Sequence, residues 1–405
     1  MPAARKRFFA SGRNKINVKP LVTPDDLIIT IENGAEFWEV PHRANSRYLS
    51  HDYFRYIGKF PPQLACEFIR RYGKAGRPIL DPMCGGGTVL LEAKIAGYDA
   101  IGYDVNPVSQ LVSRVVTTGI DPLLLEDCTR RLVAQAGEML LGNLFPSSPN
   151  PCYKFSIPDL SGNESYFAEE NLRELAMLKS YIDTVEHPTV RDFYTVAFLS
   201  IMRQVSQANV KKMNTEIDED KPRRDVWPTF YKKLKKMIEI NRNVWTLPQT
   251  NIQVQLNDAR QLLLANETIP LVIVHPPYLT NTAFSESVQL PLAWLGIKHT
   301  QIWKKELRAR GSYLREPDGL QKYLVDWHTI LSEIYRVLES SGVCVVVVGD
   351  GQMDYVRIPV GSITAEFAND IGFKLESRMC HRINNNTGMT QSRKMRDQHI
   401  LVLRK

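Results

Sequence analysis

Two short stretches hold residues whose types and spacing suit chemistry. The first runs from Ile79 to Ala93, ILDPMCGGGTVLLEA. An apolar strand leads into Asp81-Pro82, then Gly85, Gly86 and Gly87, then Thr88 and an apolar helix. Glycines at such a turn let the backbone approach a ligand closely, because no Cβ intrudes. A helix start after the turn presents unpaired N–H groups. Asp104 closes the following strand, 23 residues after Asp81, where a carboxylate can accept hydrogen bonds from a ribose diol. The second stretch is Leu271 to Asn281, LVIVHPPYLTN. A buried strand ends at His275, and Pro276-Pro277-Tyr278 follows. Two prolines make a stiff, extended turn that holds backbone carbonyls in place. The aromatic after them can stack on a flat base.

A glycine-rich loop alone fits a dinucleotide binder, a phosphate binder or a tight structural turn. No Gly-Lys-Ser/Thr follows the loop, so the nucleoside-triphosphate pattern fails. Asp81 can hold a cationic amino group, which S-adenosylmethionine has and nicotinamide cofactors lack. The pattern therefore favours S-adenosylmethionine over a nicotinamide cofactor or a structural turn. The Pro-Pro-Tyr turn fits methyl transfer to an exocyclic amino group of a base. Acceptors around such an NH₂ pull its delocalised nitrogen toward tetrahedral geometry and make it nucleophilic. The base must leave the helix to reach the pocket, and an aromatic then replaces its lost stacking. Set against this is a plain strand terminator beside a core tyrosine.

The elements that must position these residues alternate from residue 60 onward. A helix over 62–72, a strand ending at Asp81, a helix over 88–95 and a strand over 100–104 read as a βαβ unit. Helical periodicity dominates 122–140, 169–185, 190–205 and 226–240, with a Pro-, Ser- and Asn-rich loop over 145–151. Strand character returns at 252–256, 271–274 and 343–348, and again at 373–378 and 399–403. The expected fold is an α/β, doubly wound, mostly parallel sheet with a helical insertion. Four regions follow. Residues 1–50 form an N-terminal arm with a hairpin around Asn33-Gly34. Residues 51–110 form the cofactor-binding half, 111–250 the helical insertion and 251–405 the catalytic half.

The two motifs together resemble the S-adenosylmethionine loop and catalytic loop of DNA amino-methyltransferases, which modify cytosine N4 or adenine N6. The family loop reads Asp-Pro-Phe-x-Gly-x-Gly-Thr. Here Asp81, Pro82, Met83, Cys84, Gly85, Gly87 and Thr88 occupy it, with Met83 replacing the usual Phe. The stretch from Tyr53 to Ile69 resembles the segment that precedes this loop and borders the methionine part of the cofactor. That implies roles for Lys59, Phe60 and Pro61. The resemblance also implies Asp104 at the ribose, with Asn106 beside it, and Asp258 near the adenine amino group. The fold it implies is the class I S-adenosylmethionine-dependent methyltransferase type. AWLG (Ala293 to Gly296), RARGSY (Arg308 to Tyr313) and the tail from Ile383 resemble members that make N4-methylcytosine. Cytosine N4 is therefore favoured over adenine N6. One position departs: the family's catalytic loop starts with Ser, Asp or Asn, and this one starts with His275. A neutral imidazole accepts one hydrogen bond and a protonated one accepts none.

The chain of 405 residues carries a formal net charge of +7, which suits a polyanionic partner. Lys211, Lys212, Arg223 and Arg224 stand in a basic span with Trp227, Phe230 and Tyr231 and are candidates for phosphate contact. Arg382, Asn384, Arg393 and Lys394 form a second candidate set, since Asn and Arg read base edges. The expected partner is double-stranded DNA with a flipped target base. The resemblance to restriction–modification enzymes raises a cognate restriction endonuclease as a further partner. None of the six cysteines sits in a C-x-x-C pair, so no metal site is expected. The N-terminus lacks a secretory pattern and no apolar run is long enough for a membrane span, which reads as a cytoplasmic protein. Two other readings stay open: an RNA enzyme acting on guanine amino groups of tRNA or rRNA, whose loop DPMCG also resembles, and an inactive DNA-binding protein that keeps the fold.

Overall fold

The computed structural model describes residues 27–144, 157–212, 214–279, 283–307, 318–353, 356–383 and 397–405. In chain order the strands are β1 (Ile28–Glu32), β2 (Ala35–Glu39), β3 (Ile79–Asp81), β4 (Ala100–Asp104), β5 (Ile252–Leu256), β6 (Ile269–Val274), β7 (Leu338–Val348), β8 (Gly351–Met353), β9 (Val356–Ile358), β10 (Lys374–Arg382) and β11 (Asp397–Arg404). The helices are α1 (Pro62–Tyr72), α2 (Thr88–Ile95), α3 (Pro107–Thr117), α4 (Pro122–Leu144), α5 (Glu169–Asp183), α6 (Pro188–Val205) and α7 (Val226–Val244). They continue with α8 (Phe284–Ser287), α9 (Gln289–Trp294), α10 (His299–Trp303), α11 (Gly319–Val337) and α12 (Val360–Ile371).

Nine strands form one sheet in the order β1-β2-β10-β11-β7-β6-β3-β4-β5, and β8 and β9 form a separate hairpin. From β5 to β7 every pairing is parallel. β11 then runs antiparallel between β7 and β10. This is the doubly wound sheet expected of the class I type. β6, IPLVIV, is buried at every position, as a strand covered on both faces must be. Leu271 and Ile273 pack with α1 and α2 on one face, among Leu64, Phe68 and Leu90. Val272 and Val274 pack on the other with α11 and α12, among Trp327, Ile330 and Ala368. The period of two along the strand sorts the side chains to opposite faces. β5, at the sheet edge, is half exposed.

The connection from β4 to β5 holds α3 to α7, which build their own core around Phe193, Phe198, Phe230 and Leu234. α3 starts cleanly: Asn106 caps it by accepting the Val108 N–H at 3.0 Å, and Pro107 takes the first helical position. The N-terminal hairpin belongs to the main sheet. β2 pairs in parallel with β10, placing Phe37 opposite Cys380, and Arg382 donates twice to Glu32 while lying over the Phe37 ring.

The order of strands reverses between β3 and β6: the chain leaves β3 toward β4 and β6 toward β7. In open α/β sheets ligands bind at such a switch point, beyond the carboxyl ends of the strands. Both sequence motifs follow those two strands. The α11 anchor is Trp327, fully buried, whose Nε1 donates to Thr364 Oγ1 at 3.0 Å and so clamps α11 to α12. Trp327→Ala is expected to lower stability by about 3–5 kcal/mol, read as an earlier midpoint in urea unfolding.

Candidate cofactor groove and catalytic turn

β3 ends at Asp81, and the loop that follows is fixed by contacts to its neighbours. Asp81 Oδ1 accepts the Met83 N–H at 3.1 Å. Asp104 accepts the Gly85 N–H at 2.9 Å on one oxygen and the Asn106 N–H at 2.8 Å on the other. Gly87 N–H bonds to the Cys84 carbonyl at 2.8 Å. The loop N–H groups of Gly85 and Gly87 are thus used within the protein. The glycines themselves answer packing demands. A Cβ on Gly85 would press on the Tyr56 ring at 3.1 Å, one on Gly86 on the Tyr56 Cβ at 3.0 Å, and one on Gly87 would meet the Ser113 backbone at 2.9 Å. Gly85 and Gly87 also take φ of 49° and 77°, which disfavour a side chain.

A groove of about 870 Å³, open to solvent, lies over this loop. Lys59, Phe60, Asp81, Pro82, Met83, Cys84, Gly85, Thr88, Asp104, Asp258, His275 and Pro277 line it, as do Tyr56, Arg260, Phe284 and Glu306. Pro61, Gly87, Asn106, Pro276 and Tyr278 do not. Asn106 Oδ1 caps α3, while its buried Nδ2 has no hydrogen-bond partner among the described residues. Asp258 lines the groove but is held by Arg260, which reaches Asp258 at 2.6 Å and Asp326 at 2.9 Å.

The groove's electrostatics define what fits. Burial pushes the Asp81 carboxyl up to about 8, against the Met83 hydrogen bond that lowers it. Burial likewise raises Asp104 to about 6, although the Asn106 and Gly85 N–H groups favour its charge. Glu306 is raised to about 7 by burial, opposed by its bonds from Ser285 N–H at 2.8 Å and Ser285 Oγ at 2.9 Å. Asp81, Asp104 and Glu306 share the groove with Lys59, Arg260 and Lys305 and suit a ligand that carries cationic centres. S-adenosylmethionine brings a sulfonium and an ammonium, together with a diol for Asp104 and a flat ring for the apolar walls. A pyrophosphate would place like charges beside them.

The catalytic turn sits across the groove. His275 Nε2 and Tyr278 OH are 2.6 Å apart. Gln398 Nε2 donates to the same hydroxyl, and Gln398 Oε1 lies 2.6 Å from His381 Nδ1. Burial holds the His275 imidazole down at about 4, helped by the His381 charge, so at neutral pH it is uncharged. Its ring lies 5.1 Å from that of Phe60 and edge-on to Tyr278. The Pro277 carbonyl accepts from Tyr323 at 3.3 Å. Asn281 lies outside the described residues.

Tyr56, Glu306, Gln398 and His381 were not legible as site residues. Tyr56 precedes the loop without a motif of its own, and Gln398 reaches the site only because β11 inserts antiparallel beside β7. Of the expected nucleic-acid contacts, Lys212 pairs with Glu216 at 3.3 Å and Arg223 with Glu170 at 3.2 Å. Neither they nor Lys211 and Arg224 line a cavity described here. Arg382 lines a second cavity. Asn384, Arg393, Lys394 and the run Arg308 to Tyr313 lie outside the described residues. No described helix is long and apolar enough to cross a membrane.

A sheet wound about β3 and β6 carries a carboxylate-lined groove at its switch point. Residues 53–124 match the family described as UPF0020: RMKL-like, methyltransferase domain. The chain is similar to the type II methyltransferase M.MvaI of Kocuria varians, 28% identical over 63% of this chain and 59% of the relative. It is similar also to the type II methyltransferase M.BsoBI of Geobacillus stearothermophilus, 25% identical over 75% of this chain and 65% of that one. A segment of 36 residues is 56% identical to the ribosomal RNA large subunit methyltransferase K/L of Aeromonas salmonicida, covering 9% of this chain and 5% of that one. The chain thus spans less than two thirds of the length of the two type II relatives.

The carboxyl pKa values give a pH signature. Free carboxyls ionise near pH 4, so an unfolded chain sheds these protons before the folded groove does. Asp81, Asp104 and Glu306 therefore remove stability as pH rises from about 4 through 8. A cationic ligand pairs with the ionised forms and offsets that loss. The rise in melting temperature on adding S-adenosylmethionine should be larger at pH 8 than at pH 5.5. Equal shifts at both would exclude these carboxyls from cofactor binding.

Proposed function

We propose that this protein methylates the exocyclic amino group of a base in double-stranded DNA, with cytosine N4 favoured over adenine N6. The observation that carries the reading is that His275 and Pro277 of the turn line the same groove as Asp81 to Gly86 and Thr88 of the loop. The similarity to two type II methyltransferases and the motif resemblance to DNA amino-methyltransferases support DNA as the substrate. When bound, S-adenosylmethionine supplies an electrophilic methyl group on its sulfonium. Asp81, with Lys59, Phe60 and Met83 around it, would hold the methionine end, Asp104 the ribose, and Asp258 the adenine.

The chain's own residues then act on the target amino group. The Pro276 carbonyl and His275 accept its N–H protons, drawing the nitrogen out of conjugation. No covalent adduct with the protein is needed, because the nitrogen itself attacks; Cys84 is buried in the loop and its thiol is pushed up by burial. His275 serves as an acceptor only with one ring nitrogen unprotonated and turned to the substrate. Nε2 faces Tyr278, which leaves Nδ1. For Nδ1 to accept, Nε2 must carry the proton and donate to the Tyr278 hydroxyl, which in turn donates to Gln398 Oε1. That requires the Gln398 amide turned over from the orientation in which Nε2 donates to Tyr278. The two orientations exchange the same atoms, so the network carries either polarity.

A second reading, transfer to a guanine amino group in RNA, is favoured by the 36-residue match to an rRNA enzyme. The far longer matches to type II enzymes outweigh it. Incubating the protein with labelled S-adenosylmethionine and either mixed-sequence duplex DNA or tRNA plus rRNA decides. Label in DNA, recovered as N4-methylcytosine, is expected. Label confined to RNA, or no transfer to either, overturns the proposal.

The Gln398 network yields its own outcome. Tyr278→Phe and Gln398→Leu keep the ring and the bulk but remove the hydrogen bonds that orient His275. Each should cut transfer by about tenfold, the worth of one lost hydrogen bond of about 1.4 kcal/mol, with cofactor affinity unchanged by calorimetry. Wild-type rates in both would free His275 from that network.

A further inference from the structure

A second cavity opens beside the cofactor groove, between the segment 40–62, α6, α7 and the end of β10. It encloses about 1250 Å³ of space open to solvent on one side. Tyr56, Lys59 and Phe60 line both cavities. His381, on its wall, is tied through Gln398 and Tyr278 to His275. The cavity therefore adjoins the reacting end of the groove.

We infer that this cavity seats the phosphodiester backbone of the DNA strand carrying the target base, with Arg47 and Arg55 as its principal phosphate ligands. The inference rests on the DNA reading above. Its walls hold Arg47, Arg55, Lys59 and Lys233, with Arg382 beside them paired to Glu32, against one lining carboxylate, Asp52. That carboxylate is already taken by Lys236. Lys59 and Lys233 are held inward, donating to the consecutive carbonyls of His51 and Asp52 at 2.8 Å each. Burial is the largest cause and lowers Lys59 to about 7 and Lys233 to about 8. Asp52, and for Lys59 also Glu92, favours the charged ammonium groups, while Lys236 beside Lys233 and the more weakly acting Arg47 oppose them. Like charges gathered in a half-buried hollow repel, and a bound anion relieves that repulsion. Arg47 and Arg55 are exposed at its mouth, and Arg55 is aimed by its bond to the Val210 carbonyl.

The occupant must be an anion whose attached group reaches His275, because Phe60 separates the two cavities and its ring lies 5.1 Å from that of His275. A nucleotide strand meets this, with phosphate on the cations and base toward Phe60. The basic span noted in the sequence is a poorer site: Lys212 and Arg223 pair with acids outside either cavity.

Arg47→Ala, Arg55→Ala and the double variant, with Arg173→Ala as a control for charge alone, test this. Arg173 is exposed and pairs with Glu169 on α5. Duplex DNA affinity is measured by fluorescence anisotropy from 50 to 300 mM salt, and cofactor affinity by calorimetry. Each single variant should weaken duplex binding by at least about fivefold and reduce the salt slope by about one, the double by about two. Cofactor affinity should stay within about twofold, and Arg173→Ala should match wild type. If Arg55→Ala loses cofactor binding through misfolding, Arg47→Glu carries the test alone. Wild-type affinity and slope in the Arg47 variants, in a protein that does methylate DNA, overturn the strand site and leave the functional reading standing. Binding of tRNA that falls while duplex binding holds also overturns it. A wild-type protein that neither binds nor methylates DNA overturns the functional reading, and this inference with it.

Discussion

Two residue pairs, Ile79 with Leu271 and Leu80 with Val272, hold β3 beside β6 in parallel. Both strands end at the same edge, so the loop after one and the turn after the other face each other. Any reaction between a ligand on the first and a substrate on the second needs that juxtaposition. The rest of the fold serves to keep it rigid. β6 is sealed on both faces by α1 and α2 on one side and α11 and α12 on the other. Asp104 then ties the loop to the next strand, because one carboxylate binds N–H groups on both sides of the gap.

On either side of Phe60 the protein holds opposite charge. The cofactor groove gathers Asp81, Asp104 and Glu306, and the second cavity gathers Arg47, Arg55 and Lys233. Asp81 and Glu306 are buried, and like charges repel there in a low dielectric; Arg47 and Arg55 stand exposed at the mouth of the second cavity. Phe60 and Lys59 stand at the boundary. Lys59 lies against buried Glu92, whose carboxyl is raised to about 8 by burial and accepts from Tyr48 at 2.6 Å.

Much of the fold was legible because periodicity and turn chemistry agree along the chain. The hairpin at Asn33-Gly34, the strands from β3 to β7 and the long helices α4 to α7 all carry strong local patterns. α11 was passed over, although Leu320, Tyr323, Trp327, Ile330 and Ile334 recur at helical spacing. The packing role of the glycines was not legible for a physical reason: sequence shows that no Cβ is present, but not what would collide with one. Tyr56 and Ser113 supply that answer from 29 and 26 positions away from Gly85 and Gly87 in chain terms. Charge patterns misled in the same way. A basic run is visible in sequence, but the acids that neutralise Lys212 and Arg223 become visible only once the chain is folded.

His275 is where sequence and structure bear most directly on each other. From sequence it stands out as the wrong residue for a family whose catalytic loop opens on a smaller acceptor. In the fold it is neutral, because burial disfavours the imidazolium, so the objection that a protonated ring cannot accept does not apply. What takes its place is a question of polarity. An imidazole, unlike a carboxylate or hydroxyl, presents an acceptor only when its other nitrogen holds the proton. Tyr278, Gln398 and His381 form the hydrogen-bonded chain that joins its Nε2. Replacing a small acceptor by histidine therefore obliges the protein to supply a partner for the second nitrogen, and a tyrosine three residues on supplies it.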